Sequence, residues 1–156
     1  MSSTLPYLDQ MFSLQGKAAI VTGGGTGIGA ALAMGLARAG AHVVIVGRRV
    51  EPLAATVKNI QEQLEKDKLT NIKVIAFPCD IADTKALTGL VEQAHQRTET
   101  PPTILVNNAG INVRQEAEDL TPEHWEKSLN LMVTAPFFLD ASHGTTHERT
   151  RLWQNY

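Results

Sequence analysis

The sequence predicts an α/β fold built on a doubly wound parallel sheet. Two observations carry this. Short apolar runs alternate with segments whose apolar residues recur at helical spacing, and that alternation implies right-handed crossovers onto parallel strands. Between the first apolar run and the first helical segment lies a glycine-rich turn, Thr22-Gly23-Gly24-Gly25-Thr26-Gly27-Ile28-Gly29. Strand, glycine turn and helix together form a phosphate-binding geometry. Glycines let the backbone approach a ligand closely, and the helix N-terminus presents free N–H groups at the positive end of its dipole.

The elements follow in order. Residues 1–15 read as an irregular arm. Lys17 to Val21 is the first strand, with the buried run Ala18-Ala19-Ile20-Val21. The helix from Gly27 stops at Gly40, placed as a terminating glycine should be. Ala41 to Val46 is a second, β-branched strand. Pro52 suits a first helical turn, and Leu53, Val57, Ile60 and Leu64 follow as one apolar stripe of a helix reaching Lys68. Glu62, Glu65, Lys66 and Lys68 lie off that stripe and read as a solvated face. Ile72 to Phe77 is the third strand. Leu87, Leu90, Val91 and Ala94 mark the next helix, and Thr103 to Val106 the fourth strand. Thr121-Pro122 opens a further helix with Trp125, Leu129, Met132 and Val133 on one face. Internal repeats and low-complexity tracts do not appear.

Composition narrows the functional classes. A chain of 156 residues suits one domain, and 43% hydrophobic residues with 19% charged suit a packed core. A net charge of −2 gives no reason to expect nucleic acid or an acidic membrane surface. No apolar run reaches the roughly 18 residues of a membrane span. Met1 to Gln10 lacks the basic start and apolar centre of a signal peptide. Cys79 is the sole cysteine, so no internal disulfide forms; it reads as a small residue buried at a strand end. A cytoplasmic setting is expected, with a peroxisomal address left open because such a signal sits at the C-terminus.

Glycine spacing selects among phosphate turns. A Walker loop ends in Gly-Lys-Ser/Thr, whereas Gly29 is followed by Ala30 and Ala31. The G-x-G-x-x-G fingerprint fails because position 28 is Ile. The spacing Gly23, Gly27, Gly29 resembles the short-chain dehydrogenase/reductase family. Asn107-Asn108-Ala109-Gly110, after Ile104-Leu105-Val106, is similar to the family's Asn-Asn-Ala-Gly motif. In the family that motif ends the fourth strand and stabilises the sheet beside the cofactor. Asp80-Ile81, after Val74-Ile75-Ala76-Phe77, is similar to the family's adenine-contacting Asp; a turn-forming Asp is the other reading.

The resemblance covers roughly residues 12 to 140. It implies a Rossmann-type sheet of order 3-2-1-4, truncated after about four strands, with the cofactor across the strands' carboxyl ends. The implied cofactor-binding set is Gly23, Gly25, Thr26, Gly27, Ile28, Gly29, Arg48, Arg49, Asp80, Ile81, Asn107, Ala109 and Gly110. The division expected is an arm at 1–15, an NAD(P)-binding domain at 16–142 and a tail outside the family pattern at 143–156.

The end of the second strand chooses the cofactor. An NAD enzyme places an acid there for the ribose 2′-OH, and an NADP enzyme supplies Arg instead. Here the strand ends Val46-Gly47-Arg48-Arg49, with Gly47 where the acid would stand. The expectation is NADP(H) in preference to NAD(H), with a forked guanidinium on the 2′-phosphate. Two solvated surface arginines are the alternative.

The family's catalytic groups have no counterpart in these residues. Family enzymes use a Ser after the fifth strand and a Tyr-x-x-x-Lys pair on the next helix, the Lys lowering the Tyr pKa. The only tyrosines are Tyr7 and Tyr156, and Ser142 comes straight off the helix from Thr121. The family's Asn on that helix is replaced by Met132. Asn130 lies two residues earlier, about 200° round a regular helix. From His143 the apolar periodicity disappears. His143 and His147 have a metal-binding spacing but no third ligand, so no metal is assigned.

No catalytic residue is therefore named. The expectation is an NADP(H)-binding chain whose parent activity is reversible ketone/alcohol oxidoreduction, itself catalytically incomplete. The alternatives are a non-catalytic dinucleotide-binding module and a truncated product without function. The substrate class implied by the resemblance is a carbonyl or alcohol, or an acyl thioester. An unpaired fourth strand offers an apolar edge for self-association.

Overall fold

The computed structural model describes residues 11–148 other than 88, 113 and 115, and the side chains among them other than those of 117 and 142–148. Four parallel strands form one sheet in the order β3-β2-β1-β4, as the sequence predicts. They are β1 (Ala18–Thr22), β2 (His42–Gly47), β3 (Val74–Pro78) and β4 (Pro102–Val106). Each ends at or just beyond its apolar run, because the ladder continues until the chain turns toward the loops at the carboxyl ends. Every residue of β1 is buried.

Helices cover both faces, which is why the central strands are apolar without alternation. Val21, Val43 and Ile45 face α1 (Gly27–Arg38) and α2 (Val50–Lys66), meeting Ala33, Ala37, Leu53, Ile60 and Leu64. Ile20, Val44 and Val46 face the other layer. That layer is α3 (Thr84–Leu87), α4 (Leu90–Thr98) and α6 (Ala135–Glu148), which contribute Leu87, Leu90, Val91, Ala94, Ala135 and Leu139. Gly40, at φ +103°, lets the chain leave α1 and packs against Gln15.

Several local expectations are corrected. The arm's residues 1–10, with Tyr7, lie outside the described residues; 11 and 12 are helical, and the Leu14 N–H donates to the Ala39 carbonyl at 2.7 Å. The helix expected from Leu87 to Ala94 is split into α3 and α4 at Gly89, whose φ of +87° a regular helix cannot contain. On α2 the fully turned-in residue is Thr56, whereas Val57 is half-buried. A 3₁₀ turn at Ala117–Asp119 precedes α5 (Pro122–Leu129), whose Thr121 cap accepts from the His124 N–H at 3.3 Å.

The apolar face of that last helical stretch points outward. Trp125, Leu129, Met132 and Val133 are all exposed, Trp125 by 57%. A π-helical segment, Asn130–Thr134, joins α5 to α6 and shifts the phase of the turn. Ala135 and Leu139 thereby take the core side. The helix runs through Glu148 without a break at 142, and 149–156 lie outside the described residues.

β4 has no outer strand partner among the described residues, and Thr103 to Val106 are only half-buried. Its pairing with β1 skips Thr103, a bulge, since Ala18 faces Pro102 and Ala19 faces Ile104.

The amino ends of β2 and β3 are tied by a pH-dependent bond. The Lys73 N–H donates to His42 Nδ1 at 3.0 Å, which requires an unprotonated Nδ1, and the nearby Lys73 Nζ pairs with Glu99 at 3.1 Å. Burial holds the His42 pKa below its usual 6.5, the Lys73 charge lowers it further, and Glu99 opposes them. A proton is then bound more readily by the unfolded chain. The contribution is full above about pH 6.5 and is lost as pH falls through the lowered folded value. Urea midpoints from about pH 7 down to pH 5 are expected to fall more steeply for the wild type than for His42→Asn. Parallel profiles would contradict this.

Candidate functional site

The carboxyl ends of β1, β2, β3 and β4 open into one cleft of about 400 Å³. Thr22, at the end of β1 just before the lining residue Gly23, is buried. The Thr22 hydroxyl donates to the Val106 carbonyl at 3.2 Å and accepts from the N–H groups of Asn108 and Ala109 at 3.0 and 3.1 Å. Asn108 returns its side-chain amide to the Thr22 carbonyl at 3.0 Å and the Gly23 carbonyl at 3.4 Å. One hydroxyl and one amide thus lock the ends of β1 and β4 together beneath the glycine turn.

The turn needs its glycines for space. A Cβ at Gly24 would lie 2.7 Å from the Ile45 side chain, and one at Gly23 would lie 2.9 Å from Asn108 Nδ2. Thr26 is the N-cap of α1, yet its side chain makes no capping bond. The first N–H groups of α1 are thereby left without a side-chain acceptor, and a bound anion would supply one.

The other walls come from the remaining strand ends. Gly47, Arg48 and Arg49 continue β2, and both arginines are exposed and make no ion pair among the described residues. Arg49 is the N-cap residue of α2, so the arginine pair is fixed to that helix. Asp80 is exposed and its Oδ1 accepts from the Ala82 N–H at 3.0 Å. It therefore forms the turn that the alternative reading expected while also lining the cleft. Ile81 is buried beneath it, and Ile28 is 75% exposed at the cleft's rim.

Of the predicted set, Gly23, Gly25, Thr26, Gly27, Ile28, Gly29, Arg48, Arg49, Asp80, Ile81, Ala109 and Gly110 all line this one cleft. Asn107 does not: it is exposed, and Asn108 takes the inward position. Beyond β4 the chain turns, the Asn108 N–H donating to the Val106 carbonyl at 3.1 Å, and the Asn108 side-chain amide is drawn inward to the Thr22 and Gly23 carbonyls. Pro52, Leu53, Ile111 and Leu131 also line the cleft and were not assigned to it from sequence. Met132 packs at its far end, its Sδ 3.5 Å from where a Gly110 Cβ would stand. Cys79 is half-buried in the wall rather than fully enclosed. Burial pushes its thiol pKa up, and the Asp80 and Asp83 carboxylates add to this.

No cluster of three or more metal-type ligands occurs among the described residues, and the side chains of His143 and His147 lie outside them. No helix is long and apolar enough to cross a membrane among the described residues.

Comparison with known proteins places this architecture. The profile of the short chain dehydrogenase family matches residues 17–144. The chain is 36% identical over 128 residues to 2-dehydro-3-deoxy-D-gluconate 5-dehydrogenase of Dickeya dadantii, covering 82% of this chain and 47% of that protein. A short chain dehydrogenase from Burkholderia cenocepacia, solved in complex with NADP, superimposes with a TM-score of 0.75 at 35% identity, covering 85% of this chain and 51% of that one. L-sorbose reductase from Gluconobacter frateurii, solved with NADPH and L-sorbose, gives 0.78 at 28% identity, covering 89% and 50%. The chain belongs to the short chain dehydrogenase family. It spans about half the length of these relatives.

Proposed function

We propose that the chain is the NADP(H)-binding part of an oxidoreductase that interconverts a ketone and an alcohol by hydride transfer. The observation that carries this is the meeting of the glycine turn, Arg48 and Arg49, Asp80 and Ala109-Gly110 in one cleft. The pyrophosphate would lie over Thr26–Gly29 at the N-terminus of α1, and the 2′-phosphate beside Arg48. Asp80 and Ile81 would take the adenine end. The nicotinamide supplies or accepts the hydride when bound. What these residues contribute is its placement, with Gly110, Ile111 and Leu131 at that end of the cleft. The NADP and NADPH complexes of the Burkholderia and Gluconobacter proteins support the choice of cofactor. One of these proteins is a dehydrogenase and the other a reductase, which favours an oxidoreductase over a binding-only module.

The proposal extends to the division of labour. Residues 16–142 form the dinucleotide-binding portion, with the arm at 1–15 and the 143–156 segment outside it. These 156 residues contain no Tyr-x-x-x-Lys, the pair by which the family protonates the developing alkoxide. Titration of the purified chain is expected to give NADPH at least about tenfold tighter than NADH, as one charge-assisted contact accounts for. No carbonyl-dependent oxidation of NADPH should accompany binding. Equal affinities, or turnover at about 1 s⁻¹ or faster, would overturn the corresponding half of the proposal. Self-association through the β4 edge belongs to the same reading, and sedimentation velocity across protein concentrations tests it.

A further inference from the structure

The buried stripe of α2 carries one polar side chain. Thr56 stands between Leu53 and Ile60 and is 9% exposed. A threonine within a helix ordinarily returns its hydroxyl to a carbonyl three or four residues back. Thr56 instead donates to the Gly25 carbonyl, 31 residues away in sequence, at 2.9 Å. Leu53, one turn earlier, lies against the same place: a Cβ at Gly25 would be 3.3 Å from it, and one at Gly47 would be 3.5 Å from it. The first turns of α2 therefore touch both the glycine turn and the end of β2.

This contact fixes a direction as well as a distance. A peptide unit is planar and trans, so its carbonyl and its N–H point opposite ways. The N–H that shares a unit with the Gly25 carbonyl belongs to Thr26. With the carbonyl drawn inward to Thr56, the Thr26 N–H is turned away from α2. Thr26 lines the cleft, and its N–H has no acceptor among the described residues.

We propose that Thr56 is a positioning residue of the dinucleotide site. It aims the Thr26 N–H at the pyrophosphate and holds the glycine turn at a set distance from Arg48 and Arg49 through α2. The proposal rests on the dinucleotide reading above and adds to it a side chain that touches no part of the ligand.

The test uses the full chain and two ligands. NADPH engages both ends of the site, whereas adenosine 2′-phosphate carries the 2′-phosphate without a pyrophosphate. Thr56→Val keeps the shape and removes the hydroxyl. It is expected to weaken NADPH about fivefold, the size of one ordinary hydrogen bond. Binding of adenosine 2′-phosphate, followed by chemical-shift titration, should stay within about twofold, since the Arg48 end is untouched. Thr56→Ser keeps the hydroxyl and should restore NADPH affinity. A Thr56→Val protein that binds NADPH as the wild type does overturns the proposal, as does equal weakening of both ligands or a Thr56→Ser protein no better than Thr56→Val. Should Thr56→Val fail to fold, hydrogen exchange at the wild-type Thr26 amide decides. Slowing by NADPH supports the proposal, and an unchanged rate overturns it. A wild-type chain that binds neither NADPH nor NADH removes the dinucleotide reading itself, whereas wild-type binding with an indifferent Thr56→Val removes this inference alone.

Discussion

Replacing Gly29 by alanine is expected to abolish dinucleotide binding and to lower stability by about 3 kcal/mol. The new Cβ would overlap the Gly23 carbonyl oxygen and press on Asn108 Nδ2. Neither neighbour yields easily. The carbonyl is backbone, and the Asn108 amide is held by the Thr22 carbonyl at 3.0 Å within the lock between β1 and β4. Relief would require α1 to lift from the turn, carrying away the N–H groups that face the phosphate. Gly35, later in the same helix, makes the control. It is exposed and a Cβ there meets nothing within 4 Å. Gly35→Ala should stabilise the chain by about 0.5–1 kcal/mol through lost backbone freedom in the unfolded state. Urea denaturation of the two variants, with NADPH titration of each, separates crowding at the site from helix propensity. Wild-type stability and binding in Gly29→Ala would contradict the described packing.

The second large effect concerns the choice between the two dinucleotides. Arg48→Ala is expected to weaken NADPH by about ten- to a hundredfold, the range of a charge-assisted bond, and to leave NADH unchanged. The contact is exposed, so rising salt should narrow the difference. Gly47→Asp places a carboxylate where it accepts from a ribose 2′-OH and repels a 2′-phosphate. The site has room, since a Cβ at Gly47 would meet Leu53 at an ordinary 3.5 Å. The double variant should therefore prefer NADH. Retained NADPH preference would show that Arg48 is a solvated surface residue and that the 2′-phosphate lies elsewhere.

What was legible in the sequence follows from which interactions are local. The glycine turn and the strand runs are local patterns, and the structure reproduces their order as β3-β2-β1-β4. The details that were not legible depend mostly on partners distant in sequence. Asn108 rather than Asn107 lines the cleft because its side-chain amide reaches the Thr22 carbonyl, 86 residues away. No local signal separates the two, since β4 ends at Val106 and the chain turns there. Thr56 was passed over because a stripe defined by apolar residues skips a threonine at the same spacing. Its position three residues after Leu53 was the available signal. The outward apolar face of α5 was not readable, because the π segment at Asn130–Thr134 breaks the regular 100° per residue. The same shift removes the basis for the 200° separation assigned to Asn130 and Met132. The apolar spacing from Leu87 to Ala94 gave no sign of the break at Gly89, which only its positive φ shows.

Cys79 reports directly on where the dinucleotide lies. It is the sole cysteine of the chain and lies half-buried in the cleft wall beside Asp80. Its raised thiol pKa makes alkylation slow, so rates are best read at about pH 8.5, near the ordinary thiol value. Saturating NADPH is expected to slow alkylation of Cys79 severalfold, with NADH needing a higher concentration for the same protection. Bound NADPH that leaves the alkylation rate unchanged would place the dinucleotide outside this cleft and contradict the account.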